Sequence, residues 1–416
     1  MSITSYPALV NISSSGNVVS FGGASIDAFG RLRSSEPYTL FDSQNKYAAD
    51  NQFNETTASG GTSTFLPNEA SVSLNVTTTS GSEVVRQSYR RFPYQPGKSL
   101  LVLSTFVMDD SEPNLRQRVG YFDTQNGVFF QKTGTTNQFV LRSYISGSVD
   151  DSRTVSQSSW NGDKLDGTGS SGYVLDPTKA QILWMDFEWL GVGSVRCGFV
   201  INGEYILCHT FHNANIITSV YMTTAILPLR CEIKNIATAS SSSSMKVICA
   251  TVISEGGFQQ VSQEHVARRT TILGTIGTTF LPLVSIRLAS TALGAIILPN
   301  KVLVLPTTNQ NYEVAFIKNA TLTSASWAAM SSNTNVEMDV NATALTGGTI
   351  VQSDYTTASG SGGTIPLIAP TGYNWDLQLG CTIGGTSDIL TVAIRTVSGA
   401  TTGDAIGMLS FYDLTQ

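Results

Sequence analysis

Short runs of Val, Ile, Thr, Tyr and Phe, each cut off by Gly, Asn, Asp, Ser or Pro, recur along the whole chain. No amphipathic run of helical period extends beyond about ten residues. That pattern suits a pleated, half-buried surface with frequent turns, and it confines the chain to an all-β fold. Residues 98–108, 118–123 and 194–201 are examples. In the last, Val195, Cys197, Phe199 and Ile201 line one face, and Arg196 and Gly198 interrupt the other. Asn202-Gly203 follows directly and marks a two-residue hairpin, because both central positions of a type I′ turn need positive φ. Many short strands with regular turn signals predict sandwiches, jelly rolls or barrels.

The run boundaries divide the chain into parts. Residues 1–49 read as an extended, irregular polar arm, and 50–64 as a Gly/Ser/Thr-rich loop. Residues 65–268 hold most of the aromatic and charged side chains and predict a large, lectin-like β-sandwich. Residues 269–416 are rich in Ala, Thr, Gly and Ile and predict a smaller, charge-poor sandwich. The serine run 240–244 reads as a hairpin loop near the end of the first sandwich.

Composition excludes several classes. Only 13% of the 416 residues are Asp, Glu, Lys or Arg, against ~25% in typical soluble proteins. Yet 41% are hydrophobic, which is not the make-up of a disordered chain. No apolar run approaches the ~20 residues that span a bilayer, so membrane insertion is not expected. The first ten residues lack the basic and apolar regions of a signal peptide. A net charge of −6 argues against binding nucleic acid. Five cysteines without a CxxC give neither a disulfide framework nor a zinc site, so buried free thiols are expected, and no cofactor.

Four constellations offer chemistry. In a strand through residues 184–190, Trp184, Asp186 and Glu188 share one face. Two carboxylates and an aromatic platform are what a retaining glycosidase uses. The segment resembles the Glu-x-Asp-x-Glu strand of laminarinase-like β-sandwich hydrolases, with Trp184 standing where the nucleophilic Glu belongs. Saccharide contact by Trp184, Asp186, Glu188 and Trp160 is therefore one expectation, and pairing of Asp186 and Glu188 with arginines such as Arg196 is the other. Asp163 and Asp166, among glycines, offer oxygen ligands to Ca²⁺ or simply shape a surface loop. His209 and His212 beside Cys208 would face opposite sides of a strand, which disfavours a metal clamp. Arg86, Tyr89, Arg90, Arg91, Phe92 and Tyr94 combine planar cations with aromatics, a patch that reads either as nucleic-acid binding or, as the acidic total favours, as a protein interface.

Residues 27–33 (DAFGRLR) and 36–42 (EPYTLFD) together resemble the N-terminal signature of a group of virion structural proteins from tailed bacteriophages. Residues 118–130, 186–193, 227–233, 254–257 and 345–348 are similar to the same group, so the resemblance spans nearly the whole chain. It implies a non-enzymatic particle component, assembled in the host cytoplasm and residing in the virion as a fibre, baseplate or capsid-surface appendage subunit. It brings no catalytic residues. The sparse charge suits close packing of copies, and a homotrimer contacting other virion proteins is expected. The arm has too little periodicity to fold alone. Phe29, Leu32, Tyr38, Leu40 and Phe41 are expected to anchor it on a neighbouring subunit, with Arg31 and Arg33 orienting it by ion pairs. Recognition of host surface saccharide by the first sandwich is the alternative, and glycoside hydrolysis the third reading.

Overall fold

The computed structural model describes residues 36–110, 112–259, 262–331, 333–356, 377–397 and 402–415, together with the backbone of three further strands, 8–11, 18–21 and 363–366. The architecture is all-β, two sandwiches in tandem. Near the start, β1 (Ala8–Asn11) and β2 (Val18–Phe21) form an antiparallel ladder.

The strands of the first sandwich are β3 (Tyr38–Gln44), β4 (Phe53–Ala58), β5 (Thr62–Leu66), β6 (Ser71–Val76), β7 (Glu83–Ser88), β8 (Leu100–Val107), β9 (Leu115–Phe122), β10 (Gly127–Thr133), β11 (Thr136–Ser143), β12 (Asp150–Ser156), β13 (Gln181–Phe187), β14 (Val195–Ile201), β15 (Glu204–Phe211), β16 (Leu229–Asn235) and β17 (Ser243–Ser254). A seven-stranded sheet has the order β12-β11-β10-β9-β16-β7-β4, and an eight-stranded sheet the order β15-β14-β13-β8-β17-β6-β5, with β3 also paired to β17. The alternation read from sequence sends Leu183, Met185, Phe187, Val195, Cys197 and Phe199 into the core between the sheets. Aromatic side chains bridge the layers: Phe130 meets Phe199 edge to face at 5.2 Å and Phe106 at 6.1 Å. Such pairs add about 0.5–1.5 kcal/mol beyond burial. The hairpin forms as expected, with Ile201 opposite Glu204, Asn202 at φ 52° and Gly203 at φ 84°.

The second sandwich contains β18 (Glu264–Ile276), β19 (Leu281–Leu288), β20 (Ile297–Pro306), β21 (Tyr312–Lys318), β22 (Thr321–Thr323), β23 (Ala328–Ala329), β24 (Val336–Asp339), β25 (Ala344–Thr346), β26 (Thr349–Thr356), β27 (Gly363–Pro366), β28 (Ile389–Thr396) and β29 (Gly403–Asp413). Four strands in the order β18-β29-β20-β27 face six in the order β23-β24-β19-β28-β21-β26, and β22 pairs with β25. Its core includes Ile286, Val304, Phe316, Ile394 and Phe411. No helix among the described residues is long and apolar enough to cross a membrane.

The expected boundaries need correction. The arm does not extend to residue 49, because β3 joins the eight-stranded sheet through β17. Leu40 and Phe41 are buried in the sandwich's own core, where Phe41 packs on Phe92 at 5.0 Å. Tyr38 packs on Phe258 at 5.8 Å. These three therefore fasten the segment to its own sandwich, where they were expected to hold a neighbour. Phe29, Arg31, Leu32 and Arg33 lie outside the described residues. The 50–64 segment is a paired edge, β4 on β7 and β5 on β6. The second sandwich begins with β18, before residue 269. The serine run is no hairpin loop, because it carries the chain from β16 in one sheet to β17 in the other.

Among the described residues, two segments join the sandwiches. Residues 255–263 lead directly from β17 to β18, and Gln95 receives the amide of Gln259 at 3.0 Å. Far later in sequence, the loop 377–388 reaches back to the first sandwich. Cys381 N–H donates to the Tyr89 carbonyl at 3.2 Å, Gln378 Nε2 to the Arg91 carbonyl at 2.8 Å, and Ile383 N–H to Asn54 Oδ1 at 2.8 Å.

Candidate functional site

Trp184 and Asp186 share the outer face of the eight-stranded sheet, as the strand period requires. Asp186 stands opposite Arg196 on β14 and forms an ion pair with it, so its carboxylate is neutralised. Trp184 is only 5% exposed. Its indole lies over Gly198, donates Nε1–H to the Ile206 carbonyl at 3.3 Å, and meets the Tyr205 ring edge to face at 5.7 Å. Glu188 is exposed but lies beyond the end of β13, where the chain turns. Trp160 is buried in the core, 4.7 Å from Phe139, with Nε1–H donated to the Val155 carbonyl. The four proposed saccharide contacts are thus not brought together. Trp160 is a core residue, Trp184 offers no open face, and the exposed aromatic beside it is Tyr205.

The other candidates are also absorbed by the fold. Asp163 accepts the amides of Leu165 and Ser171 at 2.9 and 2.7 Å, and Asp166 accepts that of Thr168 at 2.9 Å, so both shape the loop. His209 is buried at the end of β15, and its Nδ1 accepts the amide of Asn161 at 3.3 Å. Burial, with the nearby charge of Arg153, pushes its pKa down to about 4. All five cysteines are free. Four are buried and Cys249 is half-buried, and burial raises the pKa of every one. Among the described residues no group of three His, Cys, Asp or Glu side chains could hold a metal ion.

The Arg/Tyr cluster at 86–94 is an interface, and its partner is the chain itself. Arg86 pairs with Glu55, Arg90 with Gln52, and Arg91 with Asp123 at 2.6 Å. The backbone of Tyr89 and Arg91 receives the loop from the second sandwich.

Two features went unnoticed in the sequence. The first is the outer face of the seven-stranded sheet. Phe122 and Phe129, with ring centroids 4.4 Å apart, form a floor. Arg118 and Arg142 lie over Phe129 at 4.9 and 5.1 Å, and Arg230 over Phe122 at 5.7 Å. Arg230 donates to Glu232 at 2.6 Å, Arg118 to Glu232 at 3.3 Å and to Gln131 at 2.6 Å, and Arg142 holds Asp151 through two bonds of 2.8 Å. Burial alone would raise the Glu232 pKa, but Arg230 and Arg118 outweigh it and hold the group below its usual range. Burial and the charge of Arg116 bring Arg118 down to about 10. Strand alternation was the available signal: Arg116 and Arg118 alternate with Leu115 and Val119, and Arg230 and Glu232 with Leu229, Cys231 and Ile233.

The second is a groove where the sandwiches meet. A cavity of about 640 Å³ is lined by residues that include Gln52, Tyr89, Arg90, Lys318, Asn319, Thr349 and Asp388. A second, of about 400 Å³, shares Tyr89, Asn319 and Asp388 and continues to Trp327, Thr382 and Thr386. Asp388 accepts from Lys318 at 3.0 Å, Asn319 at 2.9 Å and the Gly380 amide at 3.0 Å. Its lining comes from parts of the chain more than 200 residues apart, which no local pattern reveals.

No family model matches the chain, and no curated protein matches it. Among solved structures, it is similar to the carbohydrate recognition domain of Emp47p, at 10% identity and a TM-score of 0.32, over 53% of this chain and 97% of that one. It is also similar to a protein of unknown function from Shewanella oneidensis MR-1, at 8% identity and TM-score 0.35, over 55% of this chain and 91% of that one. A third is the CBM2 module of the evolved Dit of Lactobacillus casei BL23 phage J-1, at 5% identity and TM-score 0.36, over 55% of this chain and 100% of that module. These likenesses carry no argument about what this chain binds.

Proposed function

We propose that the chain is a non-enzymatic structural subunit of a tailed-phage virion, in a fibre, baseplate or capsid-surface appendage. One observation carries the reading: of the groups that could perform chemistry, all but the exposed Glu188 and His212 singled out in the sequence are spent on holding the fold. Asp186 is paired with Arg196, His209 accepts a backbone amide, and burial keeps the thiols protonated. The double junction between the sandwiches suits a part that must keep its shape. An assembly of copies, a trimer in this reading, has support in β26. This strand lies at the edge of its sheet and exposes Ile350, Val351 and Tyr355, a template for pairing that monomers ordinarily blunt.

Attachment falls to residues before Tyr38, because β3 belongs to the sandwich. Deleting residues 1–35 should leave both sandwiches folded and abolish incorporation into particles. Particles that still took up the shortened chain would overturn the attachment role.

The second reading is recognition of host surface saccharide. The junction groove favours it, because its lining mixes two aromatic side chains with amides and hydroxyls. Binding of the intact chain to a glycan array tests it, and an array with no binding removes it.

A further inference from the structure

We infer that the junction groove is an oligosaccharide-binding site, and that its ligand is neutral. The inference rests on the saccharide reading and moves the contact away from β13. The two cavities share Tyr89, Asn319 and Asp388, so they adjoin and are read together as one trough. Each section falls within the roughly 300–1,000 Å³ of pockets that take a drug-sized ligand, and domain junctions are favoured places for such pockets. Two joined sections of that size suit several linked sugar rings better than one.

The lining has the chemistry for this ligand. Tyr89 and Trp327 are half-buried aromatics on opposite sandwiches, able to pack against the C–H faces of sugar rings. Trp327 is backed by the Arg287 guanidinium, 4.3 Å from its ring centroid, and Arg287 is itself fixed by Glu337 at 2.7 Å. The indole is thus held in place before any ligand arrives. Asn51, Gln52 and Thr349 present amide and hydroxyl groups that match vicinal sugar hydroxyls.

The charged groups of the trough already have partners. Asp388 is only 4% exposed and already takes three donors, including the Lys318 ammonium. Arg90 is held by Gln52 and lies over Phe41 at 5.3 Å. The charges in the trough are thus engaged with protein groups, and a carboxylated sugar would have to displace one of them. Asn319 sits at φ 58°, a conformation that costs energy outside glycine, and its side chain bridges Asp388 and the Ile389 amide at 2.9 Å each. This residue fixes the shared middle of the trough.

The test uses the full chain on an array of neutral and acidic oligosaccharides, with melting temperature as the folding control. Wild type should bind neutral oligosaccharides. Trp327→Ala and Tyr89→Ala should each weaken binding at least tenfold. Thr349→Trp, at an exposed rim position, should block the trough without removing a core contact. Tyr205→Ala, on the far face of the eight-stranded sheet, should leave binding unchanged. Binding that survives all three trough variants but falls with Tyr205→Ala would overturn the location and keep the saccharide reading. Preference for acidic glycans would overturn the ligand class, and no binding by wild type would overturn both.

Discussion

Arg118 on β9 and Glu232 on β16 stand opposite each other in the seven-stranded sheet, 3.3 Å apart, each with less than a tenth of its side chain exposed. Removing one partner of a buried pair leaves the other uncompensated, which costs about 3–5 kcal/mol. Glu232→Gln should lower stability by that order, read as a shift in the urea midpoint. An unchanged midpoint would mean that the network adds nothing to stability. The carboxyl's folded pKa lies below 4.5. Its contribution is therefore complete above pH 4.5 and is lost as pH falls through the folded value.

His209 adds a second acid response at higher pH. Its pKa drops from 6.5 to about 4 on folding, so between those values the unfolded chain binds the extra proton. Stability should fall as pH is lowered from 6.5 to about 4, by on the order of 3 kcal/mol in total. His209→Gln, which can still accept the Asn161 amide, should flatten that part of a Tm-against-pH curve. A slope that persists would place its source elsewhere.

The Trp184 indole depends on Gly198. A Cβ at position 198 would lie 2.8 Å from Trp184 Nε1 and would collide with the Ile206 carbonyl. Gly198→Ala should destabilise the first sandwich by about 1–3 kcal/mol, the usual cost of overpacking. Near-UV circular dichroism of the tryptophans should change with it, and an unaltered spectrum and Tm would mean that the strands separate freely there.

Truncation should be sharply position-dependent. Removing residues 1–35 spares β3, whereas removing 1–45 takes Leu40 and Phe41 out of the core. Loss of large core side chains costs about 2–5 kcal/mol each. The longer deletion should yield insoluble or molten protein and the shorter a cooperative melt. Equal behaviour of the two would place β3 outside the folded unit.

Thiol accessibility gives an inexpensive check. Native protein treated with a thiol reagent should react first at Cys249, the half-buried one, and slowly there because burial raises its pKa. All five should react after denaturation. Early modification of Cys197 or Cys231 would contradict the core packing.

Local order was the legible part of this fold. Asn202-Gly203 specified its hairpin because the turn needs nothing beyond its own two residues. The Asp186–Arg196 pairing was readable because β13 and β14 follow each other in sequence, with only residues 188–194 between them. β3 was not readable, because its partner β17 lies some 200 residues away and its own run is short. Trp160 was misread because it follows a single 3₁₀ turn, Gln157–Ser159, where strand alternation no longer tells inside from outside. The charged face was legible in principle, yet charged residues alternating with apolar ones look solvent-exposed until the floor of Phe122 and Phe129 is seen beneath them.

The loop 377–388 has a mechanical consequence. A single linker lets one domain swivel about another, whereas two attachments more than 100 residues apart in sequence remove that freedom. A pull on the C-terminal sandwich is shared between the covalent path at 255–263 and a set of hydrogen bonds loaded together at Tyr89, Arg91 and Asn54. The two sandwiches would transmit torque together as one unit. Its first yield under force would be the release of that loop, with both sandwiches still intact.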